Sequence, residues 1–167
     1  DSPWGRGRPG WHIECSAMSL ALLGPLPFDI HGGGIDLVFP HHENEIAQSR
    51  CARGVPEMAR FWLHNGFVDM RGQKMAKSTG NVLRVEEALA MAPGEAVRLF
   101  LLSAHWRQPL DFTPDGLTNA KQTLDRFYGA LDRAGGDAEG EPDEAVVEAL
   151  ADDLNTPAAL ARLHQML

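Results

Sequence analysis

The sequence is short of cysteine, of basic charge and of long apolar runs, and each shortage removes a class of protein. Cys15 and Cys51 are the only cysteines, too few for the disulfide framework of a small secreted domain. They suit a reducing, cytoplasmic setting, where a cysteine near histidine and acidic residues serves as metal ligand or nucleophile. No apolar run approaches the roughly 20 residues that span a bilayer, and no basic-then-apolar leader opens the chain. Neither a membrane segment nor a secretory signal is expected. Lys and Arg number 15 against 23 Asp and Glu, giving a net charge of -8 and a pI near 5.3. That balance argues against a general nucleic-acid coat, whose binding rests on cations neutralising phosphates. Contact with RNA through a local basic patch stays open. Internal repeats are missing, and so are two familiar site signatures. Ile46 stands where the protease helix H-E-x-x-H needs its second histidine, and the glycine run does not follow G-x-G-x-x-G.

What is present is ordinary in bulk and patterned in detail. The 167 residues are 44% hydrophobic and 23% charged, a globular composition with length for one compact domain and a small appendage. Residues 1–10, rich in Gly, Pro and Arg, read as loop. A helix is expected over Trp11 to Leu23, stopped by Gly24 and Pro25. Phe28 to His31 reads as a strand running into Gly32, Gly33 and Gly34, and a helix is expected from about Pro40 to Ala52. Phe61 to Val68 reads as a second strand, broken by Asn65 and Gly66. Residues 71–81 read as a basic loop. Helical patterns follow over Val85 to Met91, Gly94 to Ala104 and Pro114 to Ala134. Gly135 to Asp143 turns to Gly, Asp and Glu, as linkers do, and the pattern is helical again from Asp143. Strand, loop and helix alternate in the first hundred residues, which points to part of an α/β domain followed by helices.

The densest chemistry lies at Cys15 and at His41-His42-Glu43-Asn44-Glu45. On a helix, His41 and Glu45 share one face four residues apart. Thiolate, imidazole and carboxylate all bind zinc at roughly 2.0–2.3 Å, and three protein ligands with an open position mark a catalytic zinc. The bland alternative is an exposed helix face plus one buried thiol. Five of the seven histidines fall within the first 64 residues, and His12, His31 and His64 each sit in apolar or glycine-rich surroundings, which suggests one shared polar site. Lys74 and Lys77, three residues apart in K-M-A-K-S, can bring charge to a polyphosphate, or they form a solvated turn. The run Gly32 to Gly34 followed by Asp36 either admits a nucleotide with the carboxylate on ribose hydroxyls, or is a sharp turn.

Taken together these strings resemble the cysteinyl-tRNA synthetases, a branch of the class I aminoacyl-tRNA synthetases. The likeness rests on G-W-H-I-E-C-S-A-M from Gly10 to Met18, F-D-I-H-G-G-G from Phe28 to Gly34 and P-H-H-E-N-E from Pro40 to Glu45. Trp62 to Phe67, the lysine loop (the class K-M-S-K-S signature) and D-D-L-N-T-P from Asp152 to Pro157 complete it. The resemblance implies the C-terminal half of a Rossmann-type nucleotide-binding domain over 1–105, with the zinc site and lysine loop. A helical stem over 106–134, a linker over 135–142 and the start of a helical tRNA-binding domain over 143–167 follow. It further implies zinc on Cys15, His41 and Glu45, with a fourth cysteine ligand that has no match here. Lys77, helped by Lys74, would hold ATP phosphate. His31, Gly32 to Gly34 and Asp36 would hold the rest of the nucleotide, and Trp11 would line the amino-acid pocket. His12, His31, His42 and His64 are expected to give the substrate site a polar lining.

The implied reaction joins cysteine to tRNA(Cys) through cysteinyl-adenylate, with magnesium accompanying ATP, in a cytoplasmic and monomeric enzyme. The nearest alternatives are the ATP-dependent cysteine ligase of mycothiol synthesis and a non-catalytic zinc-binding remnant. Ala76 replaces the central Ser of the lysine loop, a modest change because both lysines are kept. The H-I-G-H signature has no counterpart, the chain opens at Asp1 without Met, and Leu167 falls within a helical pattern. Both ends read as cuts. The chain alone is therefore expected not to activate cysteine at a useful rate, and to hold zinc more weakly than an intact enzyme.

Overall fold

A computed structural model describes residues 1–75, 80–135 and 140–167, which fall into two compact units, Asp1–Asn65 and Gly66–Leu167. In the first unit, helix α1 (His12–Leu23) precedes strand β1 (Phe28–Gly34), and strand β2 (Ala59–Asn65) pairs parallel to β1 from Phe28↔Ala59 to Gly34↔Asn65. Parallel neighbours need a crossover, and helix α2 (Glu43–Arg53) supplies it. The glycine run is thus the end of a strand and not a sharp turn.

The helix expected from Pro40 starts later, at Glu43, behind a short 3-10 turn (Ile35–Leu37) and a π-turn (Val38–His42). Phe39 is extended there (φ -137°, ψ 135°) because the residue before a proline is pushed out of the helical region. Helical backbone resumes before His42, so His41 and Glu45 keep their one-turn relation. Phe28, Met58 and Ala59 form the core of this unit, with Leu26, Ile46 and Trp62 packed on it.

In the second unit, β3 (Val68–Met70) pairs antiparallel with β4 (Gln73–Lys74) and parallel with β5 (Leu110–Phe112). Arg71 (φ 54°) and Gly72 (φ 71°) join β3 to β4, the two positive φ values of a type I′ hairpin. The segment read as a loop from residue 71 therefore begins as a hairpin, and Val68 belongs to a strand separate from β2. Helices α3 (Val85–Met91), α4 (Gly94–Leu102) and α5 (Pro114–Ala134) follow, with Phe100, Phe112, Leu117 and Ala120 as core. Thr113 caps α5 by accepting from Gly116 N–H at 3.0 Å, and Gly135 ends it at φ 85°.

The last helical stretch is two helices, α6 (Glu144–Ala151) and α7 (Thr156–Gln165). Asn155 caps α7, accepting from Ala158 N–H at 3.2 Å, and Pro157 sits in its first turn, where a missing N–H costs nothing. Among the described residues no helix is long and apolar enough to cross a membrane.

Candidate metal centre

On α1 the spacing His12, Cys15, Ser16 places three polar side chains on one face. Buried Ser16 lies with Oγ 2.7 Å from Gln48 Oε1 on α2 and 3.2 Å from the His12 carbonyl. That contact sets the register of α1 against α2, and with it Cys15 against His41 and Glu45.

Glu45 is fully buried, at 0% exposure. Its Oε2 accepts from His31 Nε2 at 2.8 Å, whereas its Oε1 makes no hydrogen bond. His41 Nε2 stands 3.5 Å from that Oε1, without hydrogen-bond geometry. A buried carboxylate oxygen without a donor is costly, and a cation is its natural complement. The donor atoms of Cys15, His41 and Glu45 all lie within 4.8 Å of one another, which suits sulfur, nitrogen and oxygen ligands around one zinc-sized ion. The residues fit the metal.

His31, His42 and Glu45 form a second group of the same span. It is the weaker candidate, because His31 already holds Glu45 Oε2 and His42 Nδ1 lies 2.8 Å from His64 Nε2. The orphaned oxygen belongs with Cys15 and His41.

Burial, and after it the Glu45 carboxylate, pushes the Cys15 thiol above its ordinary range. A divalent cation reverses that balance, since a coordinating thiol loses its proton. Burial, then His31, His64 and His41, lowers His42 to about 4, so His42 is neutral at pH 7. The His42 ring therefore adds no charge beside the site.

The group opens on a cavity of about 430 Å³ lined by Trp11, Cys15, His31, Leu37, His41 and Glu45, among others, within the size range of small-ligand sites. The Trp11 ring lies 4.4 Å from that of His41, centroid to centroid. Gly32 also lines the cavity, Gly33 and Gly34 close β1 beyond it, and Asp36 sits on the following 3-10 turn. Lys74 is on β4 in the second unit, and Ala76 and Lys77 lie outside the described residues. One contact escapes any reading by motif: His12 Nδ1 is 2.8 Å from His41 Nδ1. Helical spacing from Cys15 places His12 on the right face, but only folding brings it to His41.

Comparison with known proteins agrees with the family resemblance. Residues 1–122 match the family described as tRNA synthetases class I (C) catalytic domain. The chain belongs to that family. Residues 145–167 of this class I synthetase chain match the DALR domain. The chain is 66% identical over 171 residues to the cysteine–tRNA ligase of Parvibaculum lavamentivorans, covering 99% of this chain and 36% of that protein. It is 59% identical over 169 residues to the cysteine–tRNA ligase of Rhodospirillum rubrum, covering 100% of this chain and 37% of that one. The synthetase chain thus spans little more than a third of the length of these curated relatives. Among solved structures, LeuRS of Agrobacterium radiobacter, from a LeuRS-tRNA-LeuAMS ternary complex, matches with a TM-score of 0.63. That match covers 82% of this chain and 22% of the other at 20% identity, a likeness of fold.

Proposed function

We propose that this chain carries the amino-acid-selecting part of a cysteine–tRNA ligase, which activates cysteine with ATP and transfers it to the 3′ end of tRNA(Cys). The observation that carries the reading is the unpartnered, fully buried Glu45 Oε1 beside His41 and Cys15, three residues that line one cavity. Zinc held by Cys15, His41 and Glu45 supplies a soft Lewis-acid position that takes a thiolate and rejects the harder hydroxyl of serine. A site that demands one polar contact can discriminate by about 10⁴–10⁵.

The chain's own residues do the rest. Trp11 lines the cavity, and His42, neutral at pH 7, lines it without competing for the ion. His31, Gly32 to Gly34 and Asp36 stand at the carboxyl end of β1, where parallel strands bind nucleotides, and this supports a Rossmann-type half-domain. Lys74 and Lys77 would steady the ATP phosphates, with magnesium, as the cysteine carboxylate attacks the α-phosphorus and pyrophosphate leaves. The relatives named above act on tRNA, which favours that acceptor over the amino sugar of mycothiol synthesis.

The test places this chain in the matching segment of the Parvibaculum lavamentivorans enzyme. The chimaera should exchange pyrophosphate with ATP only when cysteine is present, and should charge tRNA(Cys). Glu45→Gln should lower exchange by more than about 10-fold, since even outer partners of a metal site contribute that much. Undiminished discrimination against serine after the metal is stripped would sink the reading.

A further inference from the structure

We infer that His12 is a positioning residue for the metal centre: it fixes the tautomer of His41 so that the Nε2 lone pair faces Glu45 and Cys15. The inference rests on the zinc reading and adds to it a residue outside the ligand set. Two imidazole Nδ1 atoms 2.8 Å apart share one hydrogen bond, so one ring donates and the other accepts.

Were His12 the donor, His41 would carry its proton on Nε2, which would close that nitrogen to the metal. With Nε2, 3.5 Å from Glu45 Oε1, as the ligand atom, His41 Nδ1–H donates to His12 Nδ1. That leaves His41 Nε2 bare, opposite a bare carboxylate oxygen and near a thiol. A cation between them satisfies both lone pairs. His12 is itself held for this role. It stands one turn before Ser16, whose hydroxyl joins α1 to Gln48 of α2, and the His12 and His41 rings sit 5.0 Å apart, centroid to centroid. Metal-binding histidines generally donate their second N–H to an acceptor that fixes the ring. Here the acceptor is another histidine instead of the usual carboxylate or carbonyl.

The experiment is a zinc competition titration of the 167-residue chain against a chromophoric chelator, with cobalt absorption as a second readout. His12→Phe keeps the ring and removes both nitrogens, and should weaken zinc by about 10- to 100-fold and shift the cobalt bands. His12→Asn places an amide oxygen near the position of Nδ1 and should regain most of the affinity and the spectrum. A His12→Phe affinity within twofold of the parent overturns the inference. So does equal weakening in Phe and Asn, because that would mark a packing role. Cys15→Ala separates the two levels of argument. If it leaves zinc binding unchanged, the metal reading itself falls and the inference with it; if it abolishes binding while His12→Phe does nothing, only the inference falls.

Discussion

Gly32 and Gly33 are neighbours in one motif, yet packing asks different things of them. A Cβ on Gly33 would lie 2.9 Å from Leu37 Cδ1 and 3.0 Å from His42 Cε1, and the His42 ring is buried and bonded to His64, so it cannot turn away. On Gly32 the same carbon would meet Leu63 atoms at 3.7 and 3.9 Å, ordinary contact. Gly33→Ala should therefore destabilise by about 1–3 kcal/mol, as overpacking does, and Gly32→Ala should be near neutral. Urea midpoints of the two variants compare them directly, and equal midpoints would contradict this packing. The sequence shows a run of glycines and cannot rank them, because the clash arises from residues brought back by the 3-10 and π-turns. The same holds for the histidines: Cys15, His41 and Glu45 can be read from motif and spacing, whereas the His12–His41 contact joins α1 to a turn across 29 positions.

At the scale of elements, the helices were the most legible because their signals are local. Gly24 stops α1, Thr113 and Pro114 start α5, and Gly135 ends it. Strands β4 and β5, of two and three residues, are too short to show a period, and they exist because β3 pairs with both. The break between α6 and α7 falls inside the stretch from Asp143 whose pattern reads as helical. Asp153 and Leu154 both adopt φ 54° there, a region unfavourable to residues with a Cβ, so something must hold the turn. Arg107 donates from Nε and an NH2 group to the two oxygens of Asp153, and Trp106 Nε1 donates to the Asp153 carbonyl at 2.8 Å. Arg162 binds Asp143 in the same two-pronged way.

Both carboxyls are held below the usual carboxylate range by these guanidinium partners. A lowered folded value means the pairs stabilise fully above the unfolded carboxylate value of about 3.9, and the gain is lost as pH falls through the folded value. Melting of α6 and α7 should thus hold steady down to about pH 4 and drop below it. Asp143→Asn with Asp153→Asn should lower the melt at pH 7, and the difference from the parent should shrink as pH falls below about 4. Asn tolerates positive φ, so the variant adds no backbone strain. A melt at pH 7 identical to the parent would show that these pairs hold nothing.

At the scale of the molecule, the first unit displays a two-stranded parallel sheet whose paired residues Ile30 and Phe61 are 58% and 66% exposed, with Leu63 beside them at 43%. Parallel sheets ordinarily have both faces covered, and contiguous exposed apolar surface favours association. Phe61→Lys should reduce self-association of the chain, seen by sedimentation, and change stability by no more than about 0.5 kcal/mol. A large loss of stability would show instead that Phe61 belongs to the core.

The sequence by itself determined the candidate ligands Cys15, His41 and Glu45, the one-turn spacing of the last two, and the boundaries of the long helices. Those depend on neighbours within a few residues, and the strings from Gly10 to Glu45 were specific enough to place the chain in its family. Only the tertiary structure decided which oxygen of Glu45 stands without a donor, why Gly33 must be glycine, and that His12 meets His41. Each of these is a contact between distant segments, made when α1, β1 and α2 close on one another and shut out water.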